Sequence, residues 1–164
     1  MFVLLRELGR LRAHLDLRRG PAASLAIRHV DAGSCNGCEH ELTAASNPYY
    51  DLQRFGLGIV ASPRHADVLL VTGVPTVRMH RALVTAYEAM PEPRLVAALG
   101  DCALGCNVLG SPTELTKGLE NILPVHVRIP GCPPDPERIA AGLLEALRLA
   151  QSTPASANSP ASTR

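Results

Sequence analysis

Apolar positions along this chain follow two alternating rhythms. SLAIRHV from Ser24, DVLLVTG from Asp67, RLVAALG from Arg94 and VHVRI from Val125 are short, largely unbroken apolar runs that end at polar turns, glycine or proline. Runs of that length, rich in β-branched residues and bounded by turn signals, predict buried strands. LGIVASP from Leu57 reads as strand or loop. Between these runs the spacing becomes helical. EHELTAAS from Glu39 is stopped by Asn47-Pro48, and a second short segment, YYDLQRFG, follows. VRMHRALVTAYEAM over 77–90 sets Met79, Leu83, Ala86 and Met90 on one face and ends at Pro91. PERIAAGLLEALRLA opens with Asp135 as N-cap and Pro136 at the first helical position. Strands alternating with helices predict an α/β fold with a mainly parallel sheet covered on both faces.

Three regions are expected. Residues 1–20 form an amphipathic helix with Leu4, Leu8, Leu11 and Leu15 on one face, residues 21–150 a single α/β domain, and residues 151–164 a disordered tail of small polar residues. The helix packs on the core or docks on a membrane surface or a partner. A length of 164 residues with 46% hydrophobic content suits one domain with a full core. A net charge of +1 and 3% aromatic residues give no basis for nucleic-acid binding. Every apolar run is broken by charge well short of a membrane span, and Arg6, Glu7, Arg10 and Arg12 interrupt any signal-peptide core. Arg18-Arg19 suggests a twin-arginine signal, but no long apolar stretch precedes Arg28, His29 and Asp31.

The chemistry lies in the cysteines. There are five, an odd count that argues against a closed disulfide framework and for reduced thiols used as ligands. Cys35, Cys102 and Cys132 each follow a predicted strand, and Cys38 joins them through the CNGC turn. In open parallel sheets ligands gather beyond the carboxyl ends of the strands, so these distant segments can converge. One close pair plus two single thiols suits an iron–sulfur cluster. Two alternatives stand beside it: a structural zinc site, which usually brings two CxxC knuckles, and a thioredoxin-like redox pair at CNGC, which leaves Cys102 and Cys132 unexplained. Glycines 33, 37, 100, 105 and 131 let backbone approach the site, and Pro133-Pro134 stiffens the exit from Cys132. Cys106 reads as a small buried residue near the site. Glu39 and Glu41 are expected near a helix N-terminus, where carboxylates are favoured. Arg64 and His65 either face the site or belong to a loop anchored by salt bridges or hydrogen bonds.

GSCNGCEHEL, SPRHADVLLVTG, MPEPRLVAALGDCA and VRIPGCPPDPERIAAGLL, taken in order, span about residues 24–147. This set resembles the small, cluster-bearing subunit shared by nickel–iron hydrogenases and respiratory complex I, where it is the 20 kDa (B) subunit. The likeness leans toward energy-converting, membrane-bound hydrogenases and formate hydrogenlyase-type complexes, because complex I has two adjacent cysteines where this chain has CNGC. The resemblance implies a flavodoxin-like domain holding one 4Fe–4S cluster through Cys35, Cys38, Cys102 and Cys132. It implies an electron-transfer subunit, inactive alone, that relays single electrons beside the active site of a nickel–iron large subunit. Further implied partners are a ferredoxin-like iron–sulfur subunit and antiporter-like membrane subunits, with the chain peripheral on the cytoplasmic face of the inner membrane. Glu41 matches a family position associated with proton movement. The alternative is the cluster subunit of a complex I-like NADH/quinone oxidoreductase without nickel. Secreted uptake hydrogenases carry a C-terminal extension with further cluster ligands, whereas this tail has no cysteine, so one cluster is expected. The chain departs from the family at Cys106-Asn107, where a glycine pair is usual, and residues between Cys106 and Pro124 read as a plain linker.

Overall fold

In the computed structural model the described residues are 24–106 and 118–152. Five strands, β1 (Leu25–Asp31), β2 (Leu57–Ile59), β3 (Val68–Thr72), β4 (Leu95–Leu99) and β5 (Val127–Ile129), form one sheet in the order β2-β1-β3-β4-β5. Every pairing is parallel, with Val68 beside both Ile27 and Leu95, and Leu99 beside Ile129. This is the flavodoxin-like strand order. The helices are α1 (Gly37–Ala44), α2 (Val77–Glu88) and α3 (Pro136–Ser152).

The unbroken apolar runs have a direct cause. All five residues of β3 and all five of β4 are buried, because both faces of the central sheet are covered. Val68, Leu70, Ala97 and Leu99 pack with Leu42 of α1 and with Ile139 and Leu143 of α3. Leu69, Val71, Val96 and Ala98 point the other way, into a second core with Leu83 of α2. Side chains alternate across a strand, so β3 and β4 each feed both cores. β1 carries polar residues because it is only partly buried.

The α/β architecture agrees with expectation, and the differences fall at element ends. LGIVASP contains the edge strand β2, and YYDLQRFG a 3-10 turn at Leu52–Phe55. α1 begins two residues earlier than predicted, after Asn36 adopts the left-handed conformation at φ 68°. α2 starts from Thr76, whose hydroxyl accepts the N–H of Met79, and stops at Glu88. Met90 therefore lies beyond the helix, yet it is buried in the second core. Asp135 caps α3 as expected, accepting the N–H of Arg138 at 2.8 Å. α3 runs on through Ser152, so Gln151 and Ser152 belong to a helix and not to the tail. The plain linker contributes a 3-10 turn at Leu119–Asn121 with Leu119 fully buried. The predicted N-terminal helix, the Arg18-Arg19 pair, residues 107–117 and the rest of the tail lie outside the described residues. Among the described residues no helix is long and apolar enough to cross a membrane.

The exit of β3 shows how tightly the strand ends are packed. Gly73 has φ +77°, and a Cβ there would lie 2.5 Å from the Ser34 nitrogen and 2.6 Å from the Gly33 carbonyl carbon. Both obstacles are backbone, which cannot swing aside as a side chain can. Gly73→Ala is expected to lower the unfolding free energy by about 2–4 kcal/mol, from left-handed strain and overpacking together. Denaturant titration checks this, and wild-type stability would show that the turn has room to give.

Candidate iron–sulfur centre

The site is built from three loops at the carboxyl edge of the sheet. The first follows β1, where the Asp31 carboxylate accepts the N–H groups of Gly33 and Ser34, each at 2.8 Å. The Ser34 hydroxyl accepts the Asn36 N–H at 3.1 Å, and Asn36 turns the chain into α1. Short polar side chains that bond the backbone just ahead of them make such a turn stable. Cys35 lies in this turn and Cys38 in the first turn of α1.

The other two loops are tied to each other. Gly100 donates its N–H to the Ile129 carbonyl at 2.8 Å, and Asp101 donates to the Gly131 carbonyl at 2.9 Å. Gly131 returns a bond from its N–H to the Asp101 carboxylate at 2.8 Å. The β4 and β5 pairing thus continues past the strands and carries Cys102 and Cys132 side by side. Gly100 brings in the first loop as well. Its φ is +89°, and a Cβ there would stand 2.6 Å from the Cys38 Sγ. A Cβ on Gly37 would lie 3.5 Å from the Cys35 Sγ and 3.7 Å from the Pro133 Cβ.

Electrostatics report the same convergence. Burial pushes the Cys38 thiol up to about 12, with further upward pressure from Glu39, Cys102, Cys35 and Cys132. Cys102 is also raised, first by burial and then by Cys132, Cys35, Asp101 and Cys106. Cys35, Cys38, Cys102 and Cys132 therefore share one neighbourhood in which ionised sulfurs repel one another. Such a donor set fits a positively charged metal group. Among the described residues, no three or more His, Cys, Asp or Glu side chains are grouped to hold a single metal ion. A cubane does not require that grouping, because it puts one thiolate on each of four irons. The four thiols, drawn from three loops against a side-chain-free surface at Gly100, fit a cluster of this kind.

The remaining candidates separate. Cys106 is exposed, where a buried residue was expected, and its N–H bonds the Asp101 carbonyl at 2.9 Å. Glu39 sits in the first turn of α1 as expected but faces the sheet, where its carboxylate accepts the Thr72 hydroxyl. His29 Nε2 lies 2.8 Å from the same hydroxyl and 3.7 Å from the Glu39 Oε1. Burial lowers the pKa of His29, opposed by Glu39 and Asp31 and aided by Arg28. Glu41 is half-buried one turn into α1, and its charge is one of those that raise Tyr50. Arg64 and His65 are exposed in a turn beside the amino-terminal half of β1, held by the Ser62 hydroxyl on the Arg64 N–H and by Asp67 on the Ala26 N–H. They belong to an anchored loop short of the cysteine edge.

Asp31, Asp101, Thr72 and His29 escaped the sequence reading as site residues. Asp31 had a usable signal: aspartate closing a strand before Gly33 and Ser34 is the pattern of a side-chain-closed turn.

A family described as NADH ubiquinone oxidoreductase, 20 Kd subunit, matches residues 35–146. The "Probable membrane-bound hydrogenase subunit mbhJ" of Pyrococcus furiosus is 47% identical over 121 residues, 74% of this chain and 72% of the relative. Formate hydrogenlyase subunit 7 of Escherichia coli is 40% identical over 126 residues, 77% of this chain and 49% of the relative. A chain in the structure of the membrane-bound sulfane sulfur reductase, an archaeal respiratory membrane complex, superposes with a TM-score of 0.68 at 31% identity. That match covers 82% of this chain and 74% of the other.

Two predictions follow from the geometry. Gly100→Ala puts a methyl group 2.6 Å from the Cys38 sulfur and is expected to remove most of the bound iron. Iron per chain, measured on folded protein, tests it, and wild-type iron content would refute it. The second concerns pH. Because burial lowers the pKa of His29 in the folded state, the unfolded chain binds this proton more readily. The stability contributed by neutral His29 is full above about pH 6.5 and declines as pH falls toward the folded pKa. Denaturant midpoints between about pH 7.5 and 5 should fall more steeply for the wild type than for His29→Gln. Equal slopes would contradict it.

Proposed function

The chain belongs to the family of the NADH ubiquinone oxidoreductase 20 kDa subunit, and we propose that it is the electron-transfer subunit of a membrane-associated nickel–iron hydrogenase complex. The observation that carries this reading is the convergence of Cys35, Cys38, Cys102 and Cys132 at one sheet edge. These residues would hold one 4Fe–4S cluster, which supplies one-electron uptake and release. The chain's own groups do the positioning: Asp31 shapes the Cys35 turn, the Asp101–Gly131 pair aligns Cys102 with Cys132, and Gly100 leaves room for the Cys38 sulfur.

Cys35 and Cys132 are exposed, whereas Cys38 and Cys102 are half-buried. One side of the site therefore opens outward, and the large catalytic subunit would cover it. In this arrangement the cluster position is the relay next to the nickel–iron site. A ferredoxin-like subunit would exchange electrons with the complex, and antiporter-like membrane subunits would anchor it at the cytoplasmic face of the inner membrane. Glu41 is assigned a role in proton transfer at the large-subunit interface. Identity to a membrane-bound hydrogenase subunit and to a formate hydrogenlyase subunit supports the hydrogenase form of the reading.

The second reading keeps the cluster and replaces the partner. The family description supports a complex I-like NADH/quinone oxidoreductase, which would lack nickel, and the likeness to a sulfane sulfur reductase of a respiratory membrane complex agrees with a partner other than a hydrogenase. The large-subunit partner discriminates: both CxxC pairs for nickel favour hydrogenase, and their absence favours the alternative.

Anaerobic reconstitution of the purified chain should yield about four irons with matching sulfide. Cys102→Ser should lose the cluster's reducible absorption. A colourless, zinc-only product, or a Cys102→Ser variant with an intact cluster, would overturn the assignment.

A further inference from the structure

Thr72 is the only buried polar side chain in the core of the described residues, at 0% exposed. A hydroxyl in that position costs stability unless it is used in a hydrogen bond. Here it is used twice. Its single proton goes to the Glu39 carboxylate, so its oxygen is left to accept from His29 Nε2 at 2.8 Å. The chain of donors runs His29 to Thr72 to Glu39, with the imidazole proton on Nε2. The Glu39 and His29 side chains are only 21% and 22% exposed.

A glutamate in the first turn of a surface helix needs none of this. The helix N-terminus favours its charge even when the side chain extends into water. In this protein the carboxylate is drawn back under α1 to the carboxyl end of β3, immediately after Cys38 in sequence. Its second oxygen, Oε2, is buried and has no hydrogen-bond partner among the described residues. The network therefore holds a carboxylate where solvent screens it poorly, beside the cysteine edge.

We propose that Thr72 is a positioning residue that fixes the Glu39 carboxylate beside the cluster site and thereby lowers the cluster's reduction potential. This rests on the cluster reading above. A fixed negative charge disfavours the state that carries one electron more, and its effect grows as water is excluded. Releasing the carboxylate to solvent weakens that effect, and so does letting His29 pair with it directly.

The test is a spectroscopically monitored redox titration of the reconstituted full chain, with iron content measured in parallel. Thr72→Val keeps the side-chain volume and removes the hydroxyl, while Glu39→Gln removes the charge at a partly exposed position. Each is expected to raise the reduced-to-oxidised ratio at the wild-type midpoint by about three- to tenfold. Thr72→Ser should restore the wild-type value. The double variant should shift no further than Glu39→Gln alone, because Thr72 acts through Glu39. Wild-type protein that takes up no cluster defeats the cluster reading itself. Normal clusters with an unchanged midpoint in Glu39→Gln, or additive shifts in the double variant, defeat this inference alone.

Discussion

The pairing between β4 and β5 does not end with the strands. It continues through Gly100–Ile129 and the two-way bond of Asp101 with Gly131, and everything at the cysteine edge depends on that extension. Hydrogen bonds of this length fix the separation of two loops as strictly as a sheet ladder does. Without them, Cys102 and Cys132 would hang on independent turns, and their spacing would vary with each loop's motion. With them, two strands hand their geometry directly to two thiols. The third loop is brought into register by contact: Cys38 lies against the bare backbone of Gly100, and the exit of β3 at Gly73 is closed against the turn that carries Cys35. Order in the site is thus inherited from the sheet.

The electrostatic design runs against the thiols as free acids. Burial and mutual repulsion raise Cys38 and Cys102, and Glu39 adds a further negative charge next to Cys38. A nucleophilic or redox-active cysteine pair is usually activated the opposite way, by nearby cations or a helix N-terminus that lower the thiol pKa. The CNGC turn opens α1, but at Cys38 burial and the neighbouring Glu39 outweigh the helix N-terminus, which weighs against a thioredoxin-like role for the pair. Thiols held together at such cost suit a group whose own positive charge compensates them.

How much of this was readable in the sequence follows from what local pattern can encode. β3 and β4 were legible because burial on both faces makes both strands almost wholly apolar, Thr72 at the end of β3 excepted, and α3 because Asp135 and Pro136 mark its start chemically. The cysteine edge was legible because a parallel sheet puts strand ends together whatever their distance in sequence. The start of α1 was missed because it turns on Asn36 adopting a left-handed conformation, a choice made by the tight loop and not by helical periodicity. The His29–Thr72–Glu39 network joins residues 33 and 43 positions apart, and no spacing rule connects them. Arg64 and His65 carry charge but no register information, so only the pairing of Asp67 with Ala26 shows that they sit short of the edge.

The two sides of the site divide the control of its chemistry. Cys38 and Cys102 are half-buried on the side where Asp101 and the Thr72–Glu39 pair lie, whereas Cys35 and Cys132 face outward. Hydrogen bonding, burial and local charge are the levers by which protein sets a cluster's potential. Among the described residues, the buried charge and the Asp101–Gly131 bond lie on the side of Cys38 and Cys102. Under the proposed function the other side is supplied by the subunit that covers Cys35 and Cys132, so a single fold can serve catalytic partners of different chemistry. The inner side keeps the thiols in place, and the outer side is free to change with the partner. Under the same proposal, the chemistry that would distinguish a hydrogenase from a quinone reductase lies across that interface and not in this fold.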